Sequence, residues 1–500
     1  MHKSGLFISA LLMLSITTLA QVQTPKLGVL EATTDVGAPK NTGSTSFNAT
    51  TQQYTLTGSG TNMWGEKDEF HFAYKKLKGD FILRAHVKLI GEGVDPHRKI
   101  GWSVRPTLEG NGTHVSAELH GDGLTSLQSR SEIGGITESL NSTDSFPDVI
   151  QLERKAGTYI MSTAQYGKTF TSITLNNVDL GDEVFAGIFV CSHNVEVIEK
   201  AVFSNVRIVL PAPDDFTPYR DYIGSNLEVM DIATGQRKIL AQFPNSIQAP
   251  NWTLDGKTLI YNSEGKLFNF DLTTNTSSEL YTGFATRNNN DHVLTFDGKT
   301  IGISHHSEDD NGQSIIYYLP TKGGDPVRVT PKGPSYFHGW SPDGKDLVYT
   351  GGRNDVYNIY KISKKGGEET KLTDLTTLDD GPEYSPDGKY IYFNSTRSGK
   401  MKIWRMKPDG SEQQQMTFDE YNDWFPHISP DGKSMVIISY PTDIDPADHP
   451  FYKRVYLRIM PIEGGEPTVI AYLYGGQGTI NVPSWSPDGK KIAFVSNSQL

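Results

Sequence analysis

Among its 500 residues the chain has one cysteine, Cys191, so no intrachain disulfide can form and the fold must hold by packing and hydrogen bonding. A thiol in the apolar run 186–192 is expected to be a buried structural group. No stretch keeps a helical period. No apolar run reaches the roughly 20 residues of a membrane-spanning helix. Positive charge is also scarce: 46 Lys and Arg stand against 58 Asp and Glu, a net charge of −12 with no basic stripe, which argues against nucleic acid or an anionic membrane as partner. There is no P-loop, dinucleotide fingerprint, Gly-x-Ser-x-Gly elbow, His-Glu-x-x-His or Cys-based metal site.

At the N-terminus, His2 and Lys3 precede an apolar run over 6–19, and Thr18, Leu19 and Ala20 offer a small-residue cleavage position before Gln21. That pattern predicts a signal peptide over 1–20 and an exported protein, periplasmic or secreted. No cysteine follows the run, so no lipid anchor is expected. Residues 21–53, rich in Thr, Gly, Asn and Ser, read as a loose leader.

From 54 to 210 the chain alternates as strands, for example over 81–89, 99–106, 113–120, 148–154 and 184–192, with Gly, Asn or Asp clusters between them. This suits one β-sandwich. A Pro-Ala-Pro-Asp-Asp stretch opens a short linker over 211–219.

The second half is punctuated by six Asp-Gly-Lys turns, at Asp255, Asp297, Asp343, Asp387, Asp431 and Asp488, spaced 42, 46, 44, 44 and 57 residues apart. Each turn is flanked by strand pattern, and a period in the low forties marks β-propeller blades. The chain has two unmatched strands at 226–231 and 238–242 and two more at its end. Together they make one blade. The expected fold is therefore all-β: an N-terminal β-sandwich followed, over 220–500, by a six-bladed β-propeller closed two strands plus two.

Three resemblances follow from these motifs. Residues 150–173, with Tyr166 to Phe170, and the closing stretches 187–193 and 201–206 are similar to strands of concanavalin-like jelly rolls, many of which bind or cleave glycans. On that resemblance Trp64, Trp102, His71, His114 and His120 are candidates for a sugar groove. Pro483-Ser484-Trp485-Ser486-Pro487-Asp488-Gly489 matches the repeat of TolB-like (PD40) propellers; 426–432 and 382–388 match with Ile428 and Tyr384 in the Trp place. The first two repeats depart, with Leu254 and Phe296 where Pro would stand. The propeller also loosely resembles the seven-bladed oligogalacturonate lyases, which hold a metal on histidines, although their ligands cannot be matched one by one.

In a four-stranded blade the Asp-Gly-Lys turns share one face, and the crossovers and second-to-third loops share the other. The turns are alike, so their face reads as structural. The opposite face varies, and the 57-residue step adds about 13 residues there, around Asp443, Asp445, Asp448 and His449. Beside the inner strands stand Asp291, His292, His338, Asp380, Glu383 and His427, with His305 and His306 on the same rim. His292, His305, His306, His338 and His427 are candidate ligands for a divalent metal (Mn, Ca or Zn). His292, His338, His427 and Glu383 are the candidate catalytic groups. Arg353, Arg397, Trp424, Tyr421, Asp291 and Asp380 are candidate ligand contacts, the arginines as clamps for a carboxylate.

Two functions fit. One is an exported cell-envelope binding protein whose propeller mouth takes a glycan or an envelope protein. The other is a carbohydrate-active enzyme, a metal-assisted polysaccharide lyase or a hydrolase.

Overall fold

A computed structural model describes residues 27–499. The expected signal peptide over 1–20 and the first residues of the leader lie outside the described residues. Among the described residues there is no α-helix, only one 3₁₀ turn at Glu308–Asp310.

The N-terminal half is two seven-stranded antiparallel sheets around a common core. One sheet runs, in spatial order, Ala32–Val36, Phe70–Lys78, Glu183–Cys191, Lys99–Arg105, His114–His120, Thr125–Arg130 and Glu138–Asn141. The other runs Thr171–Leu175, Thr158–Ala164, Val149–Lys155, Phe81–Ile90, Asn194–Val209, Gln53–Gly60 and Ser44–Asn48. Leu83, Ala85 and Leu152 of one sheet meet Ile100, Trp102 and Ile188 of the other. The buried Trp102 indole donates to the Ile150 carbonyl at 3.2 Å, which ties the sheets together and satisfies the one polar atom of a large apolar ring.

The leader is not loose. Ala32–Val36 and Ser44–Asn48 are edge strands, one on each sheet. Edge strands present only one residue in two to the core, and polar Thr and Ser on the other face discourage edge-to-edge pairing. That composition hid them.

Residues 248–475 form five four-stranded blades. The sixth unites the two ends of the propeller segment: Lys491–Asn497 pairs antiparallel with Ser225–Asp231, which pairs with Arg237–Phe243. A single bridge from Trp485 to Ile492 stands in the place of its inner strand. The ring is thus closed two plus two, and Ser225–Asp231 is paired on both sides.

All six Asp-Gly-Lys turns use one device. The Asp carboxylate accepts from the Ser or Thr hydroxyl two residues earlier at 2.6–2.7 Å. It also accepts from the Lys backbone N–H, as at 3.0 Å in the first turn. The glycines all sit at φ between 67° and 70°, where a Cβ is disfavoured.

Glu228, fully buried on the closing blade, joins both halves of the protein. Its carboxylate accepts from Arg207 of the sandwich at 2.5 Å, from Arg237 of the next strand at 2.7 Å and from Ser496 of the last strand at 2.5 Å. Burial opposes its charge, but the two guanidiniums outweigh that and hold its pKa down to about 2. Around it, Arg84 and Arg237 both donate to the Tyr472 carbonyl, Arg454 pairs with Glu153, and Phe170 packs on Tyr472 at 4.4 Å. The sandwich therefore rests on the fifth and closing blades.

Glu228→Gln should leave two buried guanidiniums without a countercharge and cost about 3–5 kcal/mol. Urea unfolding would read this as a lower midpoint. An unchanged midpoint would show that the carboxylate does not hold the junction.

Candidate functional site

The inner strand of every four-stranded blade breaks register near its start. The breaks fall between Gln248 and Asn251, Asn288 and His292, Phe337 and Gly339, Asp380 and Glu383, and Trp424 and His427. A bulge bends its strand and re-aims side chains. Ala249 and Phe425 take φ of 54° and 52° to make the bend, an unfavourable region for residues with a Cβ.

Polar side chains on the second strand of the preceding blade hold four of these five bulges. Asn262 donates to the carbonyls of Asn288 and Asn289 at 3.1 and 2.9 Å. Ser304 accepts from the Phe337 N–H at 2.8 Å, Thr350 donates to Asp380 at 2.6 Å, and Asn394 accepts from the Phe425 N–H at 3.1 Å. The mouth is thus fixed by contacts between blades.

The bulges open onto a cavity of about 980 Å³ on the face of the crossovers. Amides line much of it, among them Gln248, Asn289, Asn290 and Asn481. Tyr219, Tyr222, Tyr336 and Tyr357 add flat rings, and Asp291, His338, Asp380 and His449 add titratable groups. Trp424 is buried in the wall, edge-on to His449 with ring centroids 4.3 Å apart. The indole Nε1 of Trp424 and Nδ1 of His449 have no hydrogen-bond partner.

Electrostatics split the two carboxylates. Burial, reinforced by the charge of Asp380, pushes Asp291 up to about 6, although His338 and the Asn289 amide pull the other way. Burial also opposes the charge on Asp380, but the hydrogen bond and charge of His338, helped by His449 and Thr350, hold it near 2. His338 Nε2 lies 3.3 Å from Asp380 Oδ1. Against burial, Asp291 and Asp380 raise the pKa of His338, whereas burial lowers that of His449.

The five candidate metal histidines do not converge. His292 turns into the inter-blade core, 3.2 Å from the Ile260 carbonyl, and burial drops its pKa to about 4. His305 packs between Phe284 and Tyr317, its Nδ1 accepting from the Arg287 N–H at 3.3 Å. His306 sits at the cavity edge, 3.1 Å from the Gly312 carbonyl. His427 lies between Glu383, at 2.8 Å, and the Ile480 carbonyl. Glu383 is held in turn by the Ile428 N–H at 2.9 Å, so both of its oxygens are engaged.

The candidate clamps are engaged as well. Arg353 pairs with Glu369 and donates to the Pro334 carbonyl at 2.7 Å. Arg397 grips both oxygens of Asp379 at 2.9 and 3.0 Å and stacks on Trp404. Tyr421 lies under Arg458, outside the cavity lining. In the sandwich, Trp102, His71 and His114 are buried, and Trp64 alone of that candidate set is well exposed.

Sequence reasoning passed over Asn288, Asn289 and Asn290, whose three consecutive amides at the start of a strand were the available signal. It noted His449 only as part of an insertion. It also read the turn face as purely structural. That face carries a second cavity of about 280 Å³, lined by Leu254, Phe296, Pro386, Pro430 and Pro487 beside the turns. His338 borders both cavities.

Because the folded pKa of Asp291 lies above its unfolded value of 3.8, the native state binds the extra proton between the two values. Its contribution is complete below pH 3.8 and is lost as pH rises through about 6. Asp291→Asn should therefore gain stability over the natural protein between pH 4 and pH 7, by up to ~3 kcal/mol. Urea melts of both proteins at the two pH values test this; a constant difference would refute the assignment.

Comparison with known proteins places this geometry. The sequence model of the TolB beta propeller domain (PD40) matches residues 336–445. An uncharacterized protein of Agrobacterium fabrum is 47% identical over 272 residues, which is 54% of this chain and 92% of that relative. A solved structure described as a candidate TolB of Agrobacterium tumefaciens is 44% identical, with a TM-score of 0.54, covering 56% of this chain and all of that one. TolB of Acinetobacter baumannii is more distant, at 18% identity and a TM-score of 0.39 over 65% of this chain and 79% of its own. With its six blades, its two-plus-two closure and its Pro-x-Trp-Ser-Pro-Asp-Gly repeat, the chain belongs to the TolB-like (PD40) β-propeller family.

Proposed function

We propose that this chain is an exported binding protein whose propeller mouth takes a glycan. The mouth cavity carries the reading: about 980 Å³ of space lined by amides and tyrosines on a rigid ring. Amides both donate and accept, as sugar hydroxyls do, and tyrosine rings stack on the apolar faces of a pyranose. Asp380 keeps its charge, and the arginines expected to clamp a carboxylate are already paired, so a neutral or cationic sugar fits better than an acidic one. The apolar run over 6–19 behind Lys3 supports export. Among the described residues no helix is long and apolar enough to cross a membrane.

One observation favours a second reading, that of a glycoside hydrolase. Asp291 near 6 and Asp380 near 2 are two carboxylates whose environments push their pKa values apart, the pattern of an acid and its charged partner.

A glycan array followed by calorimetry on the best neutral oligosaccharide separates the readings. Tyr336→Ala and Asp380→Asn should each weaken binding roughly tenfold, about the worth of one stacked ring or charged hydrogen bond. No bound glycan, or variants that bind like the natural protein, would end the glycan proposal. Turnover of the bound sugar that Asp291→Asn abolishes while binding persists would establish the hydrolase.

A further inference from the structure

Among the described residues, the groups best placed to hold a metal lie outside the propeller mouth's lining, at one end of the sandwich. His97, His120 and Asp122 place their ligand atoms within 4.8 Å of one another. The topology explains the meeting. Strands Lys99–Arg105 and His114–His120 pair with Lys99 opposite His120, so His97 and Asp122 lie just beyond the same end of the sheet. Two backbone bonds then pin the flanking loops together: Asp122 N–H to the Pro96 carbonyl at 2.9 Å and Gly121 N–H to the Arg98 carbonyl at 2.8 Å. The next strand of the sheet, with Cys191 opposite Lys99, delivers His193, whose ring centroid is 5.6 Å from that of His97.

His120 marks this as more than a chance cluster. It is only 4% exposed, yet neither ring nitrogen has a hydrogen-bond partner. A buried imidazole left unsatisfied carries a cost that a bound ion would relieve. Glu118, 3.5 Å from His120 Nε2, is placed to orient the ring as a second carboxylate behind a metal ligand does. Lys99 and Arg98 are nearby, but each is matched by a carboxylate, Glu118 at 3.4 Å and Glu199 at 2.7 Å. Asp122 uses Oδ1 to accept from the Leu124 N–H at 3.0 Å, and its Oδ2 lies 4.0 Å from His97 Nδ1.

We propose that His97, His120 and Asp122 bind a divalent transition-metal ion of the zinc class. Two imidazoles and one carboxylate favour zinc or its neighbours over the hard, all-oxygen preference of calcium. Around zinc with bonds of about 2.0–2.1 Å, neighbouring ligand atoms stand about 3.4 Å apart, so the site must draw in. The exposed side chains of His97 and Asp122 are free to make that movement. A fourth position stays open to water or to His193, which is held 3.2 Å from Asp95.

The test is calorimetric titration of zinc chloride into the chelator-stripped, tag-free full chain, with cobalt absorption in the visible range as the spectroscopic signature. One equivalent should bind, and His97→Ala and Asp122→Asn should each weaken binding at least tenfold. Both positions are exposed, so circular dichroism should show the fold retained. Asp380→Asn, at the propeller mouth, should bind like the natural chain. Absence of stoichiometric uptake, uptake unchanged in the His97 and Asp122 variants, or uptake lost in Asp380→Asn would overturn the proposal.

Discussion

Glu228 is the point on which the architecture turns. One buried carboxylate receives a guanidinium from the sandwich, another from the adjoining strand and a hydroxyl from the last strand of the ring. Ring closure and domain docking are therefore one event. A buried charge is tolerable only when fully paired, so this group accepts a single arrangement of its three partners. The mouth inherits that rigidity, since its insertion, 441–451, springs from the same fifth blade that carries the sandwich.

On that frame the two ends of the ring diverge. The turn side repeats one hydrogen-bond scheme six times and spends its variation on the residue before each Asp, where Leu254 and Phe296 replace proline and stand exposed. The mouth side repeats a backbone irregularity instead. Every four-stranded blade has a bulge at the same place, and each bulge presents something different: amides at 289–290, an imidazole at 338, a carboxylate at 380. Repetition thus supplies the positions and substitution supplies the chemistry.

What the sequence disclosed follows from this division. The Asp-Gly-Lys turns are local, and local chemistry is readable: the blade number follows from their spacing, and the two-plus-two closure from the unmatched strands at either end of the repeats. The edge strands at 32–36 and 44–48 were not readable, because half-exposed polar strands have the composition of a loop. The side-chain partners were less so. His292 and Asp291 are neighbours in sequence, yet a bulge sends one into the core and the other to the mouth. Arg353 and Arg397 were expected on the rim, but neither lines the mouth cavity, and only the three-dimensional structure reveals Glu369 and Asp379 already in their grip. Of the proposed metal ligands, His120 and Asp122 stand two residues apart, but His97 comes from the neighbouring strand end 23 residues before His120, so no short spacing gathers all three.

The pairing of Ser225–Asp231 with Lys491–Asn497 also sets a timetable. During synthesis the first of these strands emerges about 260 residues ahead of its partner, which at roughly 5–20 residues per second is a wait of tens of seconds at the slower end. Through that interval Glu228 has Arg207 and Arg237 within reach but no third contact, and one edge of its strand lies open. The sandwich can form early from its own strands, whereas the ring can close only once Lys491–Asn497 has been made. The strand Lys491–Asn497 thus acts as the latch that covers the open edge of Ser225–Asp231.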